Sequence, residues 1–257
     1  MNADEMERRM RAGESFHALR TPPGAWAVLR LDGRGFSRLT EARFDKPFDL
    51  RFHELMCETA RAVVADLGAL FAFTESDEIS VLLPRASTVF DREVEKLVSI
   101  SASIAGGVFS LGLGALACFD SRLWIGARAD DVADYFRWRQ ADAGRCCLNG
   151  WAYWTLRKAG RTVAEATRQL EGTTVADKNE LLFQHGVNFN DLPTWQKRGT
   201  AVRWESYEKE GVNPKTCERV SAVRLRLAVD RALPLGGAFA RAIVALLEAG
   251  DAVNASC

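Results

Sequence analysis

Two aspartates, Asp32 and Asp77, combine a residue type and a sequence setting that suit metal-dependent chemistry. Asp32 ends a short apolar segment and is followed by Gly-Arg-Gly at 33–35, whereas Asp77 lies in the polar stretch 75–78. Two carboxylates that lie close together repel each other unless a cation is held between them. Hard oxygen ligands of this kind suit Mg²⁺, and aspartate pairs hold the ions of two-metal nucleotidyl transfer. The pair predicts a site for two Mg²⁺ ions if the fold brings the two residues together.

The segment that follows Asp32 has the composition of a triphosphate-binding loop. Gly33 and Gly35 allow the backbone to approach a ligand closely, and successive backbone N–H groups then surround an anion. Ser37 adds a hydroxyl group. An Asp-Gly step is also common in ordinary turns, so the combination with Asp77 carries the argument. Positive charge in and after the segment is supplied by Arg34, Arg38 and Lys46.

The surrounding elements predict the sheet that would position these residues. In a βαββαβ arrangement, the ferredoxin-like order, the first and third strands are antiparallel neighbours. Asp32 and Asp77, 45 positions apart (77 − 32), are therefore predicted to meet at one edge of the sheet. The predicted fold class is α/β (α+β), with strands at 25–31, 69–74, 79–83 and 113–119 and helices at 49–67 and 91–109.

The second half of the chain predicts helical and small β additions to that sheet. Helices are expected at 130–156, 166–170, 176–185 and 235–249, and strands at 200–205 and 222–228 around a polar turn. We divide the chain into an N-terminal arm at 1–24, a catalytic core at 25–135 and an extension at 136–257. The extension is expected to pack on the core, so that the two form one structural unit.

Composition and charge exclude several classes of protein. The 257 residues include 34 basic and 34 acidic side chains, so the chain is not a generally basic nucleic-acid coat, although a local basic face fits this balance. We identify no uninterrupted apolar run long enough to span a bilayer, and the charged segment 1–14 is unlike a secretion signal. Six cysteines without a CxxC pair favour reduced thiols. We therefore expect a cytoplasmic protein without a membrane segment.

Seven motifs, in the same order, resemble those of the tRNA-His guanylyltransferase superfamily. The resemblance covers roughly residues 25–205. Its members are reverse polymerases: they add nucleotides to the 5′ end of RNA in the 3′-to-5′ direction, on a core like the palm of ordinary polymerases. The motifs lie at 30–37, 44–49, 75–78, 138–142, 170–173, 176–180 and 188–200.

The resemblance also implies ligands, partners and site residues. It places two Mg²⁺ ions at Asp32, the Gly33 carbonyl and Asp77, with Asp32 and Asp77 as catalytic residues. The implied substrates are ATP and GTP or another nucleoside triphosphate, and the implied partner is the 5′ end of the tRNA acceptor stem. Family members assemble as homotetramers, so a homotetramer is expected. The implied nucleotide-binding residues are Asp32, Gly33, Arg34, Gly35, Phe36, Ser37, Lys46, Asp49, Ser76 and Asp77.

One tract departs from the pattern of the eukaryotic tRNA-His enzymes. Those enzymes carry a Cys-His-Ile-Asn-Asn type sequence directly after the motif at 138–142, and this chain has Ala-Gly-Arg-Cys-Cys at 143–147. Without the His and the Asn pair, the chain resembles the guanylyltransferase-like branch, which repairs 5′-truncated tRNAs. We therefore expect template-dependent 3′-5′ nucleotide addition to the tRNA 5′ end, through 5′-adenylylation and then nucleotidyl transfer.

Three alternatives stay open from the sequence. The first is dedicated addition of guanylate at position −1 of tRNA-His. The second is a nucleotidyl cyclase on the same palm, although the hairpin at 75–78 reads Glu-Ser-Asp-Glu and lacks a GGDEF-like pattern. The third is a non-catalytic RNA-binding protein, against which the intact pair of Asp32 and Asp77 argues.

An RNA-contacting surface is expected in the C-terminal extension, where basic residues lie near tryptophans such as Trp138 and Trp195. Basic side chains hold phosphates and aromatic side chains stack on exposed bases. Trp151 and Trp154 lie three positions apart on a predicted helix and fit a packed core better. The candidate RNA-binding residues are Arg139, Arg145, Lys178, Lys197 and Arg198.

Overall fold

The computed structural model describes residues 2–212 and 219–254, in which strands form one antiparallel sheet. The strands are β1 (Trp26–Gly33), β2 (Phe71–Glu75), β3 (Glu78–Leu82), β4 (Phe119–Gly126), β5 (Thr200–Val212) and β6 (Arg219–Asp230). Their order along the sheet is β4-β1-β3-β2-β5-β6. The first four strands and the helices between them follow the βαββαβ order, so the predicted ferredoxin-like arrangement is confirmed.

Helices connect the strands and cover the sheet. They are α1 (Ala3–Arg11), α2 (Phe36–Arg43), α3 (Leu50–Leu67), α4 (Val94–Leu113), α5 (Ala129–Lys158), α6 (Val163–Leu170), α7 (Val175–Gln184), α8 (Thr194–Arg198) and α9 (Gly237–Asn254), with 3-10 turns at Val89–Arg92 and Phe189–Asp191. Local sequence explains their ends, as α3 shows. The Asp49 side chain accepts a hydrogen bond from the Arg51 N–H at its start, and Gly68 ends it in the left-handed conformation.

The sheet separates two apolar cores. On one face, Leu29 of β1 packs in a cluster with Phe109 of α4. On the other face, Val28 packs in a cluster with Phe136 of α5 and Phe239 of α9. Successive residues of a strand point to opposite faces, so β1 is buried on both sides and holds the position of the segment that follows it.

The two halves of the chain share the sheet, because β5 pairs with the edge of β2. Phe71 lies opposite Arg203, and Thr74 lies opposite Thr200. Helix α5 crosses the face opposite to α3 and α4 and also packs against α8 and α9. Residues from both halves of the chain therefore lie side by side next to the turn between β2 and β3.

The fourth strand was predicted in the wrong place. The residues expected to form a strand at 113–119 begin with the end of α4, which stops at Gly114 with a φ of 69°. Strand β4 starts only at Phe119. Gly106, Gly107 and Gly112 lie inside α4 and do not end it, so the helix continues past the end at 109 that the sequence predicts. The alternating polar residues of β4, which is exposed at Asp120, gave no strong strand pattern.

Other boundaries also differ from the predictions. The helix expected from residue 91 begins at Val94 after a 3-10 turn, and α2 was not predicted. Strands β5 and β6 are longer than expected because their exposed polar residues continue the pairing as far as Val212 and Arg219. The polar turn expected between them includes residues 213–218, which lie outside the described part of the chain.

Helix α4 is long and apolar enough to cross a membrane by length and composition, which differs from the expectation that no segment is. Its buried residues Leu97, Ala105 and Phe109 pack in the core between α3 and the sheet. Core helices of soluble proteins pass the same test, and one side of α4 is buried in this way.

Gly199, between α8 and β5, is expected to tolerate no side chain. Its φ of 71° and ψ of −170° lie in a region essentially restricted to glycine, and a Cβ would come within 2.3 Å of the Phe73 ring. Gly199→Ala should lower the free energy of unfolding, measured in urea, by about 2 kcal/mol or more.

Gly107→Ala is the matched control, because Gly107 lies in α4 with open space at the Cβ position. This replacement should raise the free energy of unfolding by about 0.5–1 kcal/mol. Equal effects of the two alanines would contradict the conformation assigned to Gly199.

Candidate active site

Strand pairing brings Asp32 and Asp77 to the same end of the sheet. Asp32 lies opposite Glu78 in the β1–β3 register, and the Gly33 N–H donates to the Asp77 carbonyl oxygen over 3.1 Å. Burial raises the pKa of both aspartates; Asp120 raises that of Asp32 further, and Asp32 raises that of Asp77 further. The two carboxylates therefore interact and carry negative charge that nearby cations do not fully offset.

The side chains at this end of the sheet fit a divalent cation. Two desolvated carboxylates with raised pKa values are stabilised in their charged form when a cation binds between them. Within residues 2–212 and 219–254, no group of three or more His, Cys, Asp or Glu side chains forms a metal site by itself. Mg²⁺ is commonly held by one or two carboxylates together with water and substrate phosphates, so Asp32 and Asp77 suffice as its side-chain ligands.

The turn after β1 differs from the predicted phosphate-binding loop. Gly33 is buried, and a Cβ there would lie 2.5 Å from the Phe36 ring, so this glycine makes room for that ring. The N–H groups of Gly33 and Arg34 donate to the carbonyl oxygens of Asp77 and Cys118. These two N–H groups are engaged within the protein, and the prediction that they surround an anion is wrong.

The start of α2 supplies the donors that remain. Gly35 precedes the helix with a φ of 74° and without a side-chain cap, and the first N–H groups of a helix have no intrahelical acceptor. These groups and the helix dipole favour an anion. The Ser37 side chain is exposed in the first turn, whereas the Phe36 ring packs against Phe109 and Phe119. The backbone and Ser37, rather than the Phe36 ring, are placed to meet a phosphate.

Two adjoining cavities, of about 200 and 330 Å³, lie next to the aspartates between α2, α3 and α5. Some predicted nucleotide-binding residues line only one of the two cavities. Asp49 lines the smaller cavity, and Ser37 and Asp77 line the larger one. Together they join residues from four separate parts of the sequence. Both are lined by Thr40, Lys46, Phe52, Ser76 and Trp154.

Lys46 places a positive charge in this space. Its Nζ donates to the Thr40 hydroxyl and lies 5.7 Å from the centre of the Trp154 ring. Burial lowers the pKa of Lys46, and the carboxylates of Glu41 and Asp77 oppose that shift. The ammonium group therefore shares the cavity with Glu41 and Asp77, where it suits a phosphate.

Asp49 has a structural role at the cavity wall. Its carboxylate accepts hydrogen bonds from the N–H groups of Asp45, over 2.9 Å, and Arg51, over 2.8 Å. The Arg51 guanidinium, bonded to the same carboxylate, holds the pKa of Asp49 well below its usual range. The carboxylate caps α3 and shapes the cavity, with most of its acceptor positions already occupied.

Arg139, predicted to contact RNA, is instead buried beneath the site. It is 6 % exposed, and its guanidinium donates to Glu78 over 2.7 Å, to Glu75 over 2.8 Å and to Asp142 over 2.9 Å. Burial raises the pKa of Glu75 to about 8 although Arg139 opposes the shift. Sequence reasoning missed this cluster because residues 61 to 64 positions apart are involved.

The other candidate RNA-binding residues do not form one free basic surface. Arg145 is exposed but pairs with Asp142. Lys197 donates to the carbonyl oxygens of Phe189 and Asn190, and Arg198 to that of Leu233, so both hold loops in place. Lys178 is half-buried on α7. Of the tryptophans, Trp138 is the most accessible of those singled out by the sequence, at 52 % exposed.

His53 is a buried residue of the wall of the smaller cavity. Its ring stacks on Trp195 with 4.2 Å between ring centres. Its Nε2 lies 3.3 Å from the Thr200 hydroxyl and 3.4 Å from Nε of Arg231. Burial, with the Arg231 charge adding to it, lowers the pKa of His53 to about 4. This neutral ring joins α3 to the C-terminal half beside the cavity.

Comparison with known proteins assigns the chain to a family. Residues 7–125 match the tRNAHis guanylyltransferase family model and residues 130–230 match the model of the Thg1 C terminal domain. The chain belongs to the tRNA-His guanylyltransferase family. It is therefore a nucleotidyltransferase, as the sequence analysis expected.

Relatives of this guanylyltransferase family member are similar over most of its length. The tRNA(His) guanylyltransferase of Debaryomyces hansenii is 33 % identical over 226 residues, covering 81 % of this chain and 85 % of the relative. That of Neurospora crassa is 35 % identical over 204 residues, covering 72 % and 68 %.

Solved structures of the family share the fold. A bacterial tRNA(His) guanylyltransferase (Thg1)-like protein in complex with GTP has a TM-score of 0.75 and 27 % identity, covering 95 % of this chain and 99 % of that one. The complex of such a protein with ATP has a TM-score of 0.74, with 28 % identity over 94 % and 99 % of the two chains. The Saccharomyces cerevisiae tRNA(His) guanylyltransferase has a TM-score of 0.67, with 29 % identity over 74 % and 91 %.

Replacing Arg139 should destabilise this guanylyltransferase family member strongly. Arg139→Met leaves Glu75 without its cation and Glu78 with only the more distant Arg30 in a buried setting, and breaking a buried ion pair in this way typically costs about 3–5 kcal/mol. The free energy of unfolding in urea measures the loss. Arg137→Met is the matched control, because Arg137 pairs with Asp134 at the surface, where an ion pair contributes little. Small, equal losses in both variants would contradict the structural role of Arg139.

His53 should make the stability of the protein fall at acidic pH. Its pKa is lower in the folded than in the unfolded protein, so the unfolded state binds a proton first. The stabilisation is complete above the unfolded pKa of about 6.5 and decreases as pH falls towards 4, by an amount on the order of 3 kcal/mol.

His53→Gln should therefore flatten the dependence of the free energy of unfolding on pH between pH 6.5 and 4, measured by urea titrations. His185→Gln, at an exposed position, is the control and should keep the wild-type slope. An unchanged slope in His53→Gln would show that another group titrates in this range.

Proposed function

We propose that this enzyme transfers nucleotides to the 5′ end of tRNA at Asp32 and Asp77. The observation that carries the proposal is the desolvated Asp77 at the wall of a cavity that also holds Lys46 and the start of α2, with the desolvated Asp32 at the end of the neighbouring strand. Solved structures with the same fold were obtained in complex with GTP and with ATP, which supports nucleoside triphosphates as ligands of this cavity. Family membership favours this reaction over the nucleotidyl cyclase and the non-catalytic alternatives.

Dedicated addition of guanylate at position −1 of tRNA-His is the first candidate for the reaction. The curated relatives are named tRNA(His) guanylyltransferase, so they support this alternative more directly than the templated repair that the sequence analysis favoured. The similarity covers most of this chain and most of those relatives.

Templated repair of the 5′ end is the second candidate, on the evidence of one tract. Residues 143–147, where the eukaryotic pattern has a His and an Asn pair, begin the part of α5 that lines the smaller cavity through Ala143, Cys146 and Gly150. Small and thiol side chains there present neither an imidazole nor an amide. Because these residues of α5 line the cavity, their replacement would affect which substrate the cavity accepts.

The proposed reaction has two steps that share one site. First, an oxygen of the RNA 5′-monophosphate attacks the α-phosphorus of ATP, the α–β bridging bond breaks, and pyrophosphate leaves. Second, the 3′-hydroxyl oxygen of an incoming nucleotide attacks the activated RNA phosphorus, its proton goes to solvent, and AMP leaves. Lys46 and the first N–H groups of α2 would hold the triphosphate oxygens, where fixed donors stabilise developing charge.

Two Mg²⁺ ions would be held by Asp32 and Asp77, with the Gly33 carbonyl as a further ligand that the family resemblance implies. Bound Mg²⁺ would lower the pKa of the attacking hydroxyl group and neutralise charge on the triphosphate. Burial and Asp120 raise the pKa of Asp32, and the guanidiniums of Arg122, Arg30 and Arg139 oppose that shift, which favours the charged carboxylate that a metal needs.

Replacing either aspartate should abolish nucleotide addition without unfolding the protein. Asp32→Asn and Asp77→Asn keep the side-chain shape but remove the charge, so activity should fall by at least about 100-fold. Because the Asp77 pKa is raised by burial and by Asp32, the thermal midpoint of Asp77→Asn without metal should equal or exceed that of the wild type. Asp134→Asn, at an exposed aspartate of α5, is the control and should keep full activity. An active Asp77→Asn enzyme would overturn the assignment.

The choice between the two reactions requires three RNAs. The enzyme is incubated with Mg²⁺, ATP and nucleoside triphosphates, and with a 5′-monophosphorylated tRNA that lacks its first nucleotide, a full-length tRNA or a full-length tRNA-His. One guanylate beyond the full-length end of tRNA-His alone supports dedicated addition. Extension of the truncated tRNA only to its templated end supports repair. Absence of extension on every RNA would overturn the proposed function.

A further inference from the structure

Trp138 is an exposed aromatic side chain fixed in position next to the aspartate pair. Its side chain is 52 % exposed, although it lies in the middle of the 30-residue helix α5. The guanidinium carbon of Arg139 lies 4.6 Å from the ring centre, and that of Arg30 lies 5.5 Å from it. Tyr135 contacts the same ring edge-on, with 5.7 Å between ring centres. The indole ring of Trp138 is thus held in a fixed position while much of it stays exposed to solvent.

The groups that hold Trp138 are themselves anchored. Arg139 is tied to Glu75 and Glu78 within the protein, and Arg30 pairs with Glu78 at 3.8 Å. The Tyr135 hydroxyl is within 2.9 Å of the Ser80 hydroxyl. Neither arginine loses these partners when the indole ring stacks on a ligand, so the ring is organised in advance for stacking.

The position of Trp138 relative to the aspartates indicates what it faces. Arg30 and Asp32 are two residues apart on β1 and so lie on the same face of the sheet. Arg122 of β4 lies opposite Arg30 in the register, and its side chain is 57 % exposed. Arg30 is paired with Glu78 and Arg122 with Asp120, so Trp138 borders an open face of β1 and β4 on which these charges are balanced and which leads to Asp32.

The nucleotide cavities reach the aspartate pair at Asp77, and Asp32 lines neither of them. They are bounded by Lys46, Ser76 and Asp77, and Trp138 is not among the residues that line them. The proposed reaction needs two reactants at the aspartates, a nucleoside triphosphate and an RNA 5′ end. With the triphosphate in the cavities, the open face beside Trp138 is the approach that remains for the RNA.

We propose that Trp138 is the stacking platform for the 5′-terminal nucleobase of the RNA. The proposal rests on the proposed function for the identity of the ligand. Aromatic rings stack on any nucleobase, since every base has a flat π-face, so the platform accepts the RNA end whatever its first base. It positions the 5′-phosphate at Asp32 and Asp77 without reading sequence.

A fluorescent base at the RNA end tests the platform directly. Two 5′-monophosphorylated tRNAs lacking the first nucleotide are compared, one with 2-aminopurine as its 5′-terminal base and one with 2-aminopurine deeper in the acceptor stem. Binding of the wild-type protein should quench the terminal probe and leave the internal probe almost unchanged. Trp138→Ala should lose this quenching and bind the RNA about 10-fold more weakly.

Two further variants separate stacking from folding. Trp138→Phe keeps a ring and should keep most of the quenching and affinity. Phe183→Ala removes another strongly exposed aromatic ring, on α7, and should change neither. All three variants should bind GTP and ATP like the wild type, because Trp138 and Phe183 lie outside the nucleotide cavities.

The outcomes distinguish this proposal from the proposed function. Equal quenching and affinity in Trp138→Ala and wild type would overturn the platform, even if the wild type extends RNA. A change in the oligomeric mass of Trp138→Ala, measured by light scattering, with terminal-probe quenching retained, would show that the exposed ring packs against another copy, and would also overturn it. Quenching by a wild-type protein that extends no RNA would support the platform while the proposed function fails.

Discussion

The antiparallel pairing of β1 with β3 is the constraint on which the candidate site depends. It sets Asp32 opposite Glu78 and bonds the Gly33 N–H to the Asp77 carbonyl, so two acidic side chains from distant segments share one end of the sheet. Both strands are covered on two faces by apolar clusters, which prevents a shift of register without exposing core residues. The packing of the core thus holds the two carboxylates together despite their mutual repulsion. A bound cation would relieve that repulsion.

Ion pairing divides the acidic side chains at this end of the sheet into two groups. Burial raises the pKa values of Glu75, Glu78, Asp32 and Asp77 alike. Arg139 forms ion pairs with the two glutamates, whereas neither aspartate has an ion pair within the part of the chain that the structure describes. Four carboxylates close together would otherwise oppose folding. The ion-paired glutamates therefore have a structural role, and the two aspartates are the candidates for binding a cation.

The cavities next to the aspartates are lined by segments that lie far apart in the sequence. Lys46 and Asp49 come from the connection between α2 and α3, Ser76 from the hairpin turn, and Trp154 from the far end of α5. His53 and Trp195 join this wall to the C-terminal half by stacking. The extension of the sheet by β5 and β6 brings that half against the core, so the site belongs to both halves of the chain.

The sequence by itself determined the alternation of strands and helices, the hairpin around Ser76 and the position of Asp32 and Asp77 at the ends of neighbouring strands. These features follow from local patterns of apolar residues and from the pairing rules of a βαββαβ sheet. Local patterns failed where signals were weak or ambiguous. The small apolar residues before Gly114 suited a strand as well as the end of α4, and α2 is short.

Only the tertiary structure decided what several side chains do. The sequence around Arg139 predicts an exposed basic residue. Its hydrogen-bond partners are instead buried carboxylates on β2 and β3, more than 60 residues away. Gly33 leaves room for the Phe36 ring, and Asp49 caps helix α3. Burial and charge compensation depend on contacts between distant segments. Residue type and spacing predicted which residues gather at the site, and packing determined which of them remain free to meet a ligand.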